Sequence, residues 1–325
     1  MDVSLADIAE RLRAATSVLL IAHVNPDADA LGSSLATAIA LESLGVDVQV
    51  SFPDEPFDVP LGLRFLPRSD LIVAPEDLRA TELAMSMDAS SGDRIGRLLA
   101  VGEQAPTFIA VDHHASFVPF APMVHADASR PATGLLALDI IDALGVELTP
   151  DMAVCLYAAI SSDTGSFRFA STTPDTLRAA ARLMETGIDF AAAAKAMFDT
   201  KSRDFLRLQV EAMGGLEVIR AGDVDVAVIR VGREDRDRHG IAFTQVESLI
   251  DAVRTVEGVE VAVVLKEDDH GIWRVSSRSL GAVDVGRACT SQGGGGHVMA
   301  AGFTGTTDPD ATLQGFLDAV ASQAP

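Results

Sequence analysis

The sequence predicts an α/β protein of two domains: a first domain on a mostly parallel sheet, followed by a smaller α/β domain. Three observations predict this. The chain has 325 residues, which favours two domains at roughly 100–200 residues each. In the first half, short apolar runs of strand length alternate with helical patterns, as in a parallel sheet covered by helices. After the Gly214-Gly215 break, further strand-length runs follow one another without that alternation.

The elements read as follows. Ser4 and Asp7 form a capping-box pattern, and Ile8, Leu12 and Ala15 share one face of the short helix that follows. Ser17 to Ala22 is a strand. Leu31 to Leu44 is a helix ended by Gly45, and Val46 to Phe52 is a second strand. Leu83 to Met87 and Thr107 to Val111 are short apolar runs, each followed by an Asp. Helical patterns over Pro131 to Leu144 and Asp151 to Ile160 complete the alternation. Pro174 to Met197 is Ala-rich and reads as helical throughout, and Lys201 to Met213 reads as a connecting helix. Leu216 to Arg220 and Asp225 to Val231 flank an Ala221-Gly222-Asp223 turn and predict a strand pair. Val259 to Lys266 and Trp273 to Ser277 add two more strands. The expected domains are residues 1–190 and 216–325, joined by a helical linker over 191–215.

Composition narrows the chemistry. Lys and Arg number 25 against 47 Asp and Glu, a net charge of −22. Such a surface repels long polyanions, whose binding depends on Lys and Arg neutralising the backbone. A long-duplex binder is excluded, whereas a small phosphorylated substrate held by cations in a local pocket is not. Cys155 and Cys289 are the only cysteines and read as reduced thiols. The first residues lack the basic start and apolar run of a signal peptide. The Ala-rich stretch Phe190 to Ala194 falls far short of the ~20 apolar residues of a membrane span. A cytoplasmic protein without membrane contact is expected.

Four segments concentrate polar residues: three directly follow a predicted strand, where an open α/β sheet gathers its ligands beyond the carboxyl ends, and the fourth follows a helix. They are His23-Val24-Asn25-Pro26-Asp27-Ala28-Asp29, Met87-Asp88, Asp112-His113-His114 and Ser162-Asp163-Thr164-Gly165. One Asp after a strand is usually a helix cap, and Asp27 and Asp29 could each serve as one. Four such segments together point to a metal site. Mixed Asp and His donors suit Mn or Fe, while Mg and Ca prefer oxygen alone. Two metals ~3.5–4 Å apart need a bridging carboxylate. Asp27 and Asp29, two positions apart, can reach different ions, and Asp88, alone on its strand end, is the natural bridge.

These segments resemble the motifs of the DHH phosphoesterase family, named for the triplet that stands here at Asp112-His113-His114. That family includes RecJ exonuclease, manganese-dependent inorganic pyrophosphatases and bifunctional oligoribonuclease (nanoRNase)/pAp phosphatases, with relatives that hydrolyse cyclic di-AMP or pApA. The resemblance implies that His23, Asp27 and Asp88 hold one divalent metal, and Asp29, Asp88, His113 and Asp163 the other. Mn²⁺ is the expected ion. Asp88 and His114 would be catalytic, with His114 facing the phosphate. Ala28 departs from the Gly often found there, which affects only loop conformation.

The second half carries Ser291 to Phe303 with four consecutive glycines, Gly293 to Gly296, before His297. A Gly run alone reads as a flexible linker. A linker would need neither the histidine nor the apolar segment after it, and glycines let backbone N–H groups approach phosphate closely. The segment resembles the signature of the DHH-associated C-terminal domain. By that resemblance Gly294, Gly295, Gly296, His297, Arg278 and His114 bind the substrate, and the active site is expected in a cleft between the domains. Phe167 and Phe169 also match the family pattern but read as core. His125, His239 and His270 have no motif context and read as structural or exposed.

The implied function is hydrolysis of short oligoribonucleotides, dinucleotides such as pApA, cyclic di-AMP and pAp to mononucleotides. Two alternatives are a manganese-dependent pyrophosphatase and a non-catalytic nucleotide sensor. The glycine segment with His297 argues against the first, and the complete set of six metal ligands against the second. The resemblance also implies homodimerisation.

Overall fold

The structure, a computed structural model, describes residues 1–323. It divides into two compact units, Met1–Thr200 and the chain from Lys201 onwards.

The first unit begins with α1 (Leu5–Ala14), opened by the predicted capping box between Ser4 and Asp7. Then come β1 (Ser17–Ile21), α2 (Ala28–Ser43), β2 (Asp47–Ser51), β3 (Leu83–Met87), α3 (Leu98–Gln104), β4 (Thr107–Asp112) and β5 (Met123–Ala126). The helices α4 (Thr133–Leu144), α5 (Pro150–Asp163), α6 (Pro174–Glu185) and α7 (Phe190–Phe198) follow. The strands form one parallel sheet in the order β2-β1-β3-β4-β5. All five residues of β3 are buried, as expected of a central strand with helices on both faces. One face packs on α1, α2, α4 and α5 through Leu20, Leu31, Leu35, Ile141 and Leu156. The other packs on α3 through Leu19, Ile21, Phe108 and Leu98. Met1 to Val3 run along the free edge of β5, with a parallel bridge from Asp2 to Val124.

This strand order reverses direction between β1 and β3, and at such a switch point a crevice opens beyond the strand ends. His23 to Asp29 follow β1 and Asp88 follows β3, so the topology aims these residues at one place.

Every residue of α2 from Ala28 to Leu41 is buried, because the helix is wedged between the sheet and α5. Gly32 permits this: a Cβ there would lie 2.5 Å from the Cys155 carbonyl oxygen of α5. Backbone cannot swing aside as a side chain can, so overpacking costs about 1–3 kcal/mol, more than the ~1 kcal/mol an Ala gains in helix propensity. Gly32→Ala is expected to lower the melting temperature by several degrees, and an unchanged or higher value in a thermal melt would contradict this packing.

The second unit holds α8 (Arg203–Gly214), β6 (Glu217–Ala221), β7 (Val224–Val231), α9 (Arg233–His239), α10 (Ile250–Val253), β8 (Val261–Glu267) and β9 (Trp273–Ser279). It ends with α11 (Val285–Ser291), β10 (Gly295–His297), β11 (Ala300–Thr304) and α12 (Pro309–Ala321). Its six-stranded sheet runs β10-β11-β9-β8-β7-β6, with β7 and β8 parallel and the other pairs antiparallel. The predicted hairpin β6–β7 turns at Gly222, whose φ is +58°.

One expectation changes. The single helical stretch over Pro174 to Met197 is two helices, because Gly187 takes a left-handed φ of +87° and Asp189 starts α7 by accepting the Ala192 N–H. The glycine run is not a linker, as expected: Gly295 and Gly296 lie in β10, and Gly293 and Gly294 just before it. Of the segment 191–215, α7 lies in the first unit and α8 in the second. Among the described residues no helix is long and apolar enough to cross a membrane.

Candidate metal centre

The centre is built from four loop starts on the first unit. His23 lies just past β1 and is 3% exposed. Its Nδ1 is 2.8 Å from the Val24 carbonyl oxygen, which can only accept, so Nδ1 carries the hydrogen. Nε2 is left facing Asp27 Oδ2 at 3.5 Å and Asp88 Oδ2 at 3.6 Å.

Asp27 does two things at once. Its Oδ1 caps α2 by accepting the N–H groups of Asp29 and Ala30 at 2.9 and 3.0 Å, and its Oδ2 is turned to His23. Burial opposes its ionisation, but His23 and the Ala30 N–H outweigh that and hold the carboxyl well below its usual range.

Asp29 is fully buried. Its Oδ2 accepts from Thr133 N at 2.7 Å, and its Oδ1 from Gly134 N at 2.8 Å and Ser33 Oγ at 3.1 Å. It is therefore held by the N-terminus of α4, where unpaired N–H groups and the helix dipole favour negative charge. Even so, burial and the nearby Asp88 and Asp163 push its pKa well above the ordinary value.

Asp88 sits in the left-handed region, φ +65°, a conformation Asp tolerates better than most residues. Thr133 Oγ1 donates to its Oδ1 at 2.9 Å. Burial, then the charge on Asp27, raises its pKa to about 6, partly offset by His114 and His113.

His113 mirrors His23. Nδ1 donates to the Arg130 carbonyl at 3.1 Å, and Nε2 stands 3.2 Å from Asp163 Oδ2, 3.5 Å from Asp88 Oδ1 and 3.6 Å from Asp29 Oδ2. Burial opposes a charge on this ring, but Asp163, Asp29 and Asp88 outweigh it and raise its pKa to about 11. Next to it, His114 is held by Asp112, which takes Nδ1–H at 2.8 Å and the backbone N–H at 3.1 Å.

Two donor sets result, His23/Asp27/Asp88 and Asp29/Asp88/His113, each with ligand atoms within 4.8 Å of one another. They share Asp88. Asp163 joins the second through His113. Carboxylates gathered this densely without a counter-cation are costly, as the raised pKa values of Asp29 and Asp88 show. A mixed nitrogen and oxygen set around that charge fits divalent transition metals, so the residues present suit the implied ions.

Of the predicted substrate-binding residues, His114 lies on the first unit, and Arg278, Gly294, Gly295, Gly296 and His297 lie on the second. Ala300 of β11 pairs with Arg278 of β9 on one side and His297 of β10 on the other, so Arg278 and His297 share one face of the sheet. The glycines shape this hairpin. A Cβ on Gly294 would lie 2.2 Å from the Gly302 carbonyl oxygen, and one on Gly296, at φ +140°, 2.5 Å from that of Ala300. Gly295 has open space at its Cβ position. The Gly294 N–H is already spent on the Cys289 carbonyl at 2.9 Å.

Supporting residues were not singled out by sequence: Thr133, which holds both Asp29 and Asp88, Asp112, and the Arg130 carbonyl. Asp112 stood inside the quoted triplet. Nothing in the local sequence marks Thr133. Phe167 packs on the first core, 6.2 Å from the Tyr157 ring. His125 and His239 are structural, bonded to the Val3 carbonyl and to Glu211.

The profile of the DHH family, N-terminal domain, matches residues 17–160, and that of the DHHA1 domain matches residues 223–324. The chain is 34% identical to the bifunctional oligoribonuclease and PAP phosphatase NrnA of Thermus thermophilus, covering 96% of this chain and 92% of that protein. It is 24% identical to the protein of the same name from Bacillus subtilis, covering 88% of each. An exopolyphosphatase-related protein from Bacteroides fragilis has the same fold, with a TM-score of 0.88 at 22% identity, covering 98% of this chain and 96% of that one. Strand-end carboxylates, the Asp112-His113-His114 triplet and the glycine hairpin thus fall inside matched domains in the expected order, and the chain belongs to the DHH family of phosphoesterases, a DHH domain followed by a DHHA1 domain.

Proposed function

We propose that the protein is a two-metal phosphoesterase that hydrolyses short oligoribonucleotides, dinucleotides such as pApA, and pAp to mononucleotides, with cyclic di-AMP as a further candidate substrate. The observation that carries this reading is the pair of donor sets sharing Asp88. A bridging carboxylate between two nitrogen-and-oxygen sets is what a binuclear centre for in-line phosphoryl displacement needs. The Thermus thermophilus and Bacillus subtilis relatives act on oligoribonucleotides and PAP by their names, which supports the substrate class.

In this reading His23, Asp27 and Asp88 hold one ion, and Asp29, Asp88, His113 and Asp163 the other, with Mn²⁺ as the proposed metal. When bound, the ions lower the pKa of water and offset charge on the phosphoryl oxygens. The chain's own groups do the rest. The carbonyls of Val24 and Arg130 fix the two histidines with Nε2 free of hydrogen for coordination. Asp112 fixes His114 at Nδ1. Burial opposes protonation of that ring, but Asp112 and Asp88 raise its pKa, so His114 can keep a proton on Nε2 for the leaving oxygen. Arg278 and His297 are proposed to take the phosphate or nucleotide portion that does not react. With Gly294 N–H committed elsewhere, the glycines contribute by keeping that hairpin free of side chains.

Substrate size tests the reading. A net charge of −22 offers no extended basic track, so counterion release from a long backbone supplies no affinity. With RNAs from the dinucleotide to about 24 nucleotides at fixed salt, kcat/KM is expected to be highest for the shortest and to fall with length. A steady rise with length would point to a processive nuclease instead. The same assay on pAp, pApA and cyclic di-AMP ranks the small substrates.

A further inference from the structure

The phosphoryl group of any substrate must approach Asp27, Asp29, Asp88 and Asp163 in a strongly acidic protein. Arg94 is a cation that stands beside this cluster, 3.1 Å from the His23 ring. It lies on the 3-10 turn Gly92–Ile95, a few residues beyond Asp88. Its carbonyl accepts the Val24 N–H at 2.7 Å, which ties the turn to the segment carrying His23.

The Arg94 guanidinium Nη2 lies 3.1 Å from His23 Nδ1. That nitrogen is also 2.8 Å from the Val24 carbonyl. The two contacts cannot both be hydrogen bonds. A carbonyl only accepts and a guanidinium only donates, so Nδ1 serves one or the other. When His23 offers the Nε2 lone pair, Nδ1 carries the hydrogen and gives it to Val24. Arg94 is then left beside the donor set with its N–H groups facing no acceptor on the ring.

Among the described residues its charge has no close carboxylate partner, and Asp54 senses it only from farther away. Arg64, Arg68, Arg79, Arg97 and Arg130 of the same unit each lie within 4.0 Å of a carboxylate. Among the described residues no carboxylate lies that close to Arg94. The side chain is half-buried, so it is held in place yet reachable from solvent. Such a guanidinium suits a phosphate oxygen, which it can meet with two parallel N–H groups.

We propose that Arg94 is a further catalytic residue, whose guanidinium binds a non-bridging phosphoryl oxygen of the substrate on the His23 side of the centre. This rests on the phosphoesterase reading above. It separates Arg94 from His23, Asp27 and Asp88: those hold metal, whereas Arg94 holds substrate charge. As negative charge shifts onto the phosphoryl oxygens during displacement, a fixed donor there strengthens in the transition state.

The test uses Mn²⁺-loaded full-length protein, wild type against Arg94→Gln and Arg94→Lys. Three quantities are read: metal content by elemental analysis, binding of inorganic phosphate by calorimetry, and kcat/KM on pApA. For Arg94→Gln the expected result is unchanged metal content, phosphate binding weakened at least about tenfold and kcat/KM lowered about 100-fold, with Arg94→Lys between it and wild type. Phosphorothioate diastereomers of the dinucleotide should be discriminated by wild type and less so by Arg94→Gln, because one particular oxygen loses its partner. Wild-type phosphate affinity and kcat/KM in Arg94→Gln would overturn the proposal. So would loss of metal in step with activity, which would make Arg94 a support for His23. If wild type turns over no nucleotide at all, the phosphoesterase reading fails, and phosphate binding still decides the role of Arg94.

Discussion

Asp88→Ala is expected to abolish hydrolysis and to lower metal content at both sites. Asp88 is the one residue common to the two donor sets, with Oδ2 facing His23 and Oδ1 facing His113. Removing it would take a donor from each of the two proposed metal positions and leave them without a shared carboxylate. Two electrostatic contributions of roughly 100-fold each are lost together, so the fall in kcat is on the order of 10⁴-fold. Part of any loss of stability would come from the backbone, because a left-handed φ of +65° costs an Ala about 1–2 kcal/mol. Asp88→Asn removes that complication, since Asn tolerates the conformation and can still accept from Thr133 Oγ1. It should fold like wild type and still lose metal and turnover. Two ions retained with near-normal turnover in either variant would reject Asp88 as the bridge.

Chelation is the second large effect. Exhaustive dialysis against a chelator should remove activity entirely, and Mn²⁺ should restore it. Ca²⁺ should restore little, because it takes six to eight oxygen ligands, and this site offers the ring nitrogens of His23 and His113. Equal rates with Ca²⁺ and Mn²⁺ would refute the assignment. Uptake should also release protons. In the metal-free protein burial raises the Asp88 pKa to about 6, and Asp163 and Asp29 outweigh burial to raise that of His113 to about 11; a metal needs His113 without its Nε2 hydrogen. Protons therefore compete with metal, and affinity is expected to rise with pH from about 6 to 8. Calorimetry in buffers of differing ionisation enthalpy measures the release directly.

The parallel sheet was legible because β1, β3 and β4 are short, apolar and followed by an Asp or His. The edge strand β5 was not. Met123-Val124-His125-Ala126 has no long apolar run, and its partners are β4 and the residues around Asp2, far away in sequence. The break at Gly187 was hidden by Ala-rich patterns on both sides. The ends of the second domain, α11 to α12, were missed because β10 is largely glycine and gives no alternation. At the centre, the residues expected as ligands are brought together, because they sit next to strand or helix ends that the topology gathers. Their supports were not legible. Thr133 reaches Asp88 across 45 positions and Asp29 across 104, a relation with no local signature. Asp27 and Asp29 were read as either caps or ligands. Asp27 caps α2 with one oxygen and turns the other to His23.

That division of labour says something about how the centre can be filled. Asp27 is tied to the start of α2, and Asp29 to the start of α4 by two backbone N–H groups. Both anchors belong to helices already packed in the core, so the entropy of bringing these carboxylates together is lost during folding rather than during metal capture. The emptied protein should therefore stay native, with the same far-ultraviolet circular dichroism and a cooperative melt. A socket set in this way would let ions come and go without refolding, so the identity of a bound metal would depend on what the surroundings supply as much as on the chain.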